Sequence, residues 1–303
     1  MRSLFVFLLL GLVSAAAPPR LHANLRGQVM ILVYHKFGTQ DGRWTRSFAS
    51  FDRDLARLDA ASYRPITLRQ YVSGNFVLPA GTSPVVLTFD DSSKYQMRFT
   101  PAGQLDPESA VGQWVAFAKT HPEFPVHGTF FINPGTDVFA QRVYIQRKLQ
   151  MLVQLGSEIG NHTWDHPNLR HLTPAAVERE VGLAQYHIDR WLPGYAVTSL
   201  ALPYGVAPRN DQLVVGGAWT GNPTPRAAPV TVRWNYSAVV LVGSGPAPSP
   251  LIAGLPHAHL PRIQAFTPEF DHWMSYFARY PRRRFVSDGQ RHAPASLLRL
   301  KVN

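Results

Sequence analysis

The stretch Val85-Val86-Leu87-Thr88-Phe89-Asp90-Asp91 joins an almost unbroken apolar run to two adjacent carboxylates. A run of this length, rich in branched side chains and without polar alternation, reads as a strand buried on both faces. Parallel sheets covered by helices use such strands. The strand delivers its last residues to the carboxyl edge of the sheet, where parallel α/β folds gather reactive groups. Two carboxylates side by side at that edge repel each other unless something positive lies close. A metal ion would relieve the repulsion, and diverging side chains would let one carboxylate bind it while the other handles protons. The same pair would also serve as a helix cap at a strand-to-helix turn.

Working outward, further short apolar runs read as strands over Met30–His35, Gly128–Asn133, Glu158–Asn161, Ser199–Pro203, Ala238–Val242 and Leu260–Phe266. Between them, Phe48–Ala61, Ala110–Lys119, Phe139–Leu155, Pro174–Trp191 and Pro268–Tyr280 have helical spacing and length. Alternation of this kind predicts an α/β chain, a distorted (β/α)7-type barrel in a single domain. Several strands end in polar residues, namely His35, the Asp90-Asp91 pair, Asn133, and His162 just past Asn161. The chemistry is therefore expected on one face. Ser92–Pro125, Gly216–Arg233 and Gly243–Pro256 are rich in Pro, Gly or small polar residues and read as loops.

Residues 1–17 combine Arg2, an apolar run from Leu4 to Val13 and a small-residue exit at Ser14–Ala17, which reads as a secretory signal peptide. The chain is then expected to be exported, with a catalytic unit over residues 18–303 and its core at about 29–280. There is no cysteine, which excludes both disulfides and thiolate-bound zinc. The formal charge of +11 favours anionic surfaces such as an envelope polymer. The leader argues against nucleic acid, and the basic residues are mostly scattered, with Arg282–Arg284 as the one tight cluster. A monomer is assumed.

Two further elements follow in order. In His162-Thr163-Trp164-Asp165-His166-Pro167 the two histidines lie four apart. They share a face if the segment turns helically, close enough to hold one divalent ion. In Leu202-Pro203-Tyr204-Gly205 the proline fixes one torsion and the glycine frees another, so an amide can point inward while the tyrosine lines a cleft. Taken with Thr88-Phe89-Asp90-Asp91 and Gly128-Thr129-Phe130-Phe131, these elements resemble the polysaccharide deacetylase family, which includes chitin, peptidoglycan and poly-N-acetylglucosamine deacetylases. The resemblance spans roughly Val29 to Phe266. It implies one divalent metal ion held by Asp91, His162 and His166, with zinc foremost and cobalt, nickel, iron or manganese as alternatives. It also implies Asp90 as general base, the Tyr204 backbone amide as oxyanion donor, and an acetylated polysaccharide as substrate.

The chain departs from the family pattern at two positions. Ser92 stands where the family usually has glycine, and Ala201 where it has the arginine that orients the base. Arg262, at the start of the last predicted strand, is the candidate substitute. His35 is expected to be the acid that protonates the leaving amine, as in permuted members of the family, with His257 and His259 as alternatives. Tyr204, Trp164, Tyr34 and Trp234 are candidate sugar-stacking groups. His127 reads as packing. The competing function is a carbohydrate-binding protein that kept the fold and metal without turnover, a reading that Ala201 prompts.

Overall fold

The computed structural model describes residues 21–292 apart from 253 and 256, so the leader expected over residues 1–17 lies outside the described residues. The elements follow as β1 (Met30–Tyr34), β2 (Lys36–Gly38), β3 (Thr45–Ser47), α1 (Phe48–Ala60), β4 (Tyr63–Pro65), α2 (Leu68–Ser73), β5 (Ser83–Phe89), α3 (Ala110–Thr120), β6 (Gly128–Ile132), α4 (Ile145–Gln154), β7 (Glu158–Asn161), α5 (Pro174–Trp191), β8 (Ser199–Ala201), α6 (Gln212–Val215), β9 (Gly216–Gly221), β10 (Val230–Asn235), β11 (Ala238–Val240), β12 (Ile263–Gln264) and α7 (Thr267–Arg279). Local chemistry sets several helix starts. Ser47, Ser109 and Thr173 each accept a backbone N–H through the side chain, and Thr67 with Gln70 forms a reciprocal capping box. No helix among the described residues is long and apolar enough to cross a membrane.

Eight strands form a curled parallel sheet in the order β11-β8-β7-β6-β5-β1-β12, with β4 paired beside β5. Leu260 bridges in parallel to Val240 of β11. Its amide and carbonyl each bond to that strand's neighbourhood at 2.9 Å, so the segment entering β12 rounds the sheet toward a barrel. The fold expectation holds: this is a (β/α)-barrel-like arrangement in one domain. Register explains why one rim carries the polar residues. Tyr34 pairs with Phe89, Phe89 with Phe130, Ile132 with Asn161, and Asn161 with Leu200. His35, Asp90, Asn133, His162 and Leu202 therefore emerge side by side just beyond the strands. Both sheet faces are buried, Met30, Leu32 and Tyr34 in the larger core and Val29 and Ile31 in the smaller. That accounts for the unbroken apolar strands.

Three expectations are corrected. Gly216–Arg233, read as a loop, is largely an antiparallel hairpin of β9 and β10. Its Trp219, Val232 and Trp234 alternate inward onto α5, where a Cβ on Gly182 would lie 2.4 Å from Cβ of Trp219. Trp234 is thus packed in the core and does not line the cavity that holds the motif residues. Leu260–Phe266 keeps only β12 as regular strand. The helix expected from Phe139 begins at Ile145, because Phe139 and Ala140 take left-handed backbone angles.

Lys148 on α4 is fully buried, its ammonium donating to the Phe139 carbonyl at 3.2 Å. Burial, aided by Arg98 and opposed by Asp137, pushes its pKa down to about 8. The folded-state value lies below the unfolded one, so the penalty is fully present below pH 8 and stability rises as pH climbs from there toward the unfolded value. Lys148→Met is expected to raise unfolding free energy at pH 7 by roughly 1–2 kcal/mol, the removed charge penalty less one hydrogen bond. Urea unfolding at pH 7 and 10 checks this: the gain of the variant over the parent should shrink at the higher pH.

Candidate metal and catalytic site

The first turn leaves the sheet at Asp90, whose N–H still donates to the Tyr34 carbonyl at 2.9 Å. The chain then reverses through left-handed angles at Asp91 (φ 70°) and Ser92 (φ 42°). Consecutive carboxylates are thereby separated: Asp90 is buried, while Asp91 is partly open. The second turn follows β7. His162 and His166 do meet, but not on a helix, because Thr163 (φ 65°) and His166 (φ 62°) are left-handed and no helix spans them. Their rings pack edge to face at 4.8 Å. Among the described residues, five of the nine non-glycine positions with positive φ thus lie in the three motif turns, Tyr204 (φ 58°) being the fifth. Such strain persists only where surrounding structure holds it.

Asp91 Oδ1 lies 3.4 Å from His162 Nε2 and 3.5 Å from His166 Nε2. All three donor atoms fall within 4.8 Å of one another. His162 Nδ1 is 2.8 Å from the carbonyl of Ala201. With its proton on that nitrogen, the ring presents the Nε2 lone pair to the cluster, as a metal-ligating histidine does. That Nε2 is buried with no hydrogen-bond partner. Burial lowers the His162 pKa, but Asp90 and Asp91 outweigh it and hold the imidazole above its ordinary value. A position that attracts a proton this way suits a cation, so the donor set fits a divalent ion.

Asp90 points to a different partner. Arg262, fully buried, grips it at both oxygens, Nη1 to Oδ1 at 2.8 Å and Nη2 to Oδ2 at 2.6 Å. The guanidinium is itself fixed by Thr88 Oγ1 at 2.9 Å and the Leu241 carbonyl, above the ring of Phe131. Burial alone would raise the Asp90 pKa, but Arg262 overrides it and holds the carboxyl well below the usual carboxylate range. The position vacated at Ala201 is thus covered by an arginine from the barrel-closing segment.

His35 Nε2 is 3.9 Å from Asp90 Oδ2. Its carbonyl accepts from Ser93 Oγ at 2.8 Å and Gln96 Nε2 at 2.6 Å, and its ring meets Trp44 edge to face at 4.8 Å. Burial holds the imidazole below its ordinary pKa against the pull of Asp90 and Asp91. His257 instead bonds the Ser237 carbonyl at 2.8 Å and His259 lies 3.2 Å from Asp211. Neither lines the cavity. Tyr204 is 61% exposed and its ring stands 4.7 Å from that of His166. Gly205 (φ 68°) allows the turn, since a Cβ there would lie 2.7 Å from the Val242 amide nitrogen.

Two expected sugar-facing aromatics are placed elsewhere. Tyr34 is 2% exposed, stacked on Phe89, with its hydroxyl donating to Asp54 at 3.2 Å. Trp164 turns toward α5, 4.8 Å from the ring of His187, and is not among the cavity residues. Trp44 was missed. It sits after Asp41-Gly42-Arg43, and an aromatic behind an Asp-Gly turn is the signal the sequence offers, while its 40% exposure belongs to the fold. A cavity of about 240 Å³ unites His35, Trp44, Asp90, the three donors and Tyr204. A groove of about 720 Å³ shares its Trp44, Tyr204 and Val242 walls and runs on past Gln264 and Glu269.

Fold and site together define a (β/α)-barrel-like chain with a carboxylate–dihistidine cluster beside an arginine-held carboxylate. A sequence profile of the family described as polysaccharide deacetylase matches residues 79–215, the part of the barrel from β5 to α6. The chain is 34% identical over 88 residues to the peptidoglycan-N-acetylmuramic acid deacetylase PdaC of Bacillus subtilis, a match covering 29% of this chain and 17% of that protein. It is 33% identical over 135 residues to a chitooligosaccharide deacetylase of Bradyrhizobium, covering 45% of this chain and 52% of that protein. The chain thus spans about half or less of these relatives. Among solved structures, the Streptococcus pyogenes deacetylase PplD in complex with acetate superposes at TM-score 0.58 and 18% identity, over 82% of this chain and 98% of that one. IcaB from Ammonifex degensii does so at TM-score 0.54 and 14% identity, over 82% and 97%. These structures establish the shared fold.

Proposed function

We propose that the chain hydrolyses N-acetyl groups of an N-acetylglucosamine-containing extracellular or envelope polysaccharide, releasing acetate and leaving a free amine. Asp91, His162 and His166 would hold one divalent ion, with zinc first among the candidates. When bound, such an ion supplies a Lewis acid for the acetamide carbonyl and acidifies a water. Asp90, ionised and oriented by Arg262, accepts the proton of the attacking water. His35, whose Nε2 lies 3.9 Å from Asp90 Oδ2 on the cavity wall, would protonate the departing amine. Trp44 and Tyr204 offer aromatic walls for the sugar, and the open groove between them suits a polymer threaded past the site.

The observation that carries this reading is the Arg262–Asp90 pair. A binding protein needs the metal ligands, but it has no use for a second, non-ligating carboxylate held buried and ionised beside them. The non-catalytic alternative rests on the alanine at 201, and the grip of Arg262 on Asp90 speaks for the catalytic reading instead. Export is supported by the leader-like residues 1–17, and adhesion to anionic envelope polymers by the charge of +11.

Acetate release from acetylated chitooligosaccharides is the test, after chelator treatment and on adding back zinc, cobalt or nickel. Activity should vanish on chelation and return with at least one metal, at rates that rise with chain length. No release from any acetylated glycan by a chain that binds metal would overturn the catalytic reading.

A further inference from the structure

We infer that the loop after β6 is a splint that sets the spacing of the two ligand-bearing turns, with Asn133 as its positioning residue. The inference rests on Asp91, His162 and His166 being a metal site. Strand β6 lies between β5 and β7 in the sheet, so the loop leaving it runs between the turn that carries Asp91 and the turn that carries the two histidines. Asn133, the first residue past β6, is 1% exposed and reaches both sides. Its backbone N–H donates to Ser92 Oγ at 3.3 Å. Its side-chain amide donates to the carbonyls of His162 and, at 3.3 Å, of Thr163. The loop adds a second tie to each turn: Gly135 N–H donates to the Trp164 carbonyl at 2.8 Å, and Phe139 N–H to the Ser92 carbonyl at 2.7 Å.

The ties have a physical task. Asp91, Ser92, Thr163 and His166 all hold left-handed angles without being glycine. Such angles are strained for residues that carry a Cβ and would relax if released. Regular pairing has already ended below them, at Phe89 with Phe130 and Ile132 with Asn161. One further ladder bond, from the His162 N–H to the Ile132 carbonyl at 3.0 Å, places the start of the second turn; beyond it only the ties of the Asn133 loop set how the two turns face each other. The same contact explains the serine at 92. Glycine would enter the left-handed turn at less strain, but only a hydroxyl there accepts the buried Asn133 N–H, which would otherwise lack a partner. Ser92 and Asn133 act as a pair.

Zinc affinity of the chelator-stripped full chain, measured by competition with a chromophoric chelator, tests this alongside the thermal midpoint of the stripped protein. Asn133→Ala should weaken zinc binding about 10- to 100-fold, the range for outer-shell partners of metal ligands. Ser92→Ala, which keeps the strain and loses the acceptor, should weaken it more than Ser92→Gly, which relieves the strain. The double variant Asn133→Ala with Ser92→Ala should lose less than the product of the two single losses. A change in thermal midpoint with zinc affinity within twofold of the parent would make Asn133 merely structural and overturn the inference. If Asn133→Ala does not fold, the Ser92 variants decide, and parental affinity in both overturns it. A parent chain that takes up no zinc would instead overturn the metal reading and the splint with it.

Discussion

Asp90→Asn should retain its divalent metal and lose about two to four orders of magnitude in turnover, the range for a positioned general base. The reason is the division of labour between neighbours. Asp91 faces His162 and His166, whereas Asp90 faces Arg262 and sits 3.8 Å from His162 Nε2 and 3.9 Å from His35 Nε2. Asparagine keeps the shape and one acceptor for Arg262 but cannot take a proton. Metal content by plasma spectrometry and turnover on one acetylated oligosaccharide read the two halves separately. Loss of the metal on this substitution would show that Asp90 is a ligand and the assignment of roles is wrong.

The second large effect is expected at Arg262. Arg262→Met leaves a buried carboxylate without its partner, which costs about 3–5 kcal/mol of stability. Turnover should fall about 100-fold or more, because the base is no longer held to its productive position. The acid limb of the activity profile should also move. Burial raises the Asp90 pKa and Arg262, with His162 and His35, holds it down, so removing the guanidinium shifts the limb to higher pH. Arg262→Lys separates charge from geometry, since an ammonium keeps the positive charge but cannot span both carboxylate oxygens. Its stability loss should be the smaller while much of the turnover loss remains. Urea unfolding together with pH–rate profiles of both variants checks the pair, and equal turnover in Arg262→Lys and the parent would show that the bidentate grip is dispensable.

Much of this molecule was legible before any coordinates. The apolar runs at Val85–Phe89 and Gly128–Phe131 announced a parallel sheet because strands buried on two faces have no polar alternation to hide. The order of the three motifs placed their donors on one rim, since parallel strands share a carboxyl edge. Tyr34 could have been kept out of the cleft by the same logic. It lies two residues after Leu32 and four after Met30, so strand alternation puts it on their core face, and His35 is the first residue past the strand. The hairpin at Gly216–Asn235 was hidden because its glycines and prolines mimic loop composition, while the inward pattern of Trp219, Val232 and Trp234 is spread over two strands.

Strand chemistry, the carboxylate pair, the histidine spacing and hence the donor set are all written in the order of residues. All of these are local: a period, a neighbour, a turn residue. The hold of Arg262 on Asp90, across 172 residues of chain, comes from folding alone, because that contact exists only once the segment at Leu260 closes the sheet onto β11. The meeting of His162 with His166 likewise depends on left-handed turns that neighbouring loops enforce, and no helical period encodes it. Local patterns name the groups that can react, whereas the curl of the sheet and the ties between its loops set which of them touch.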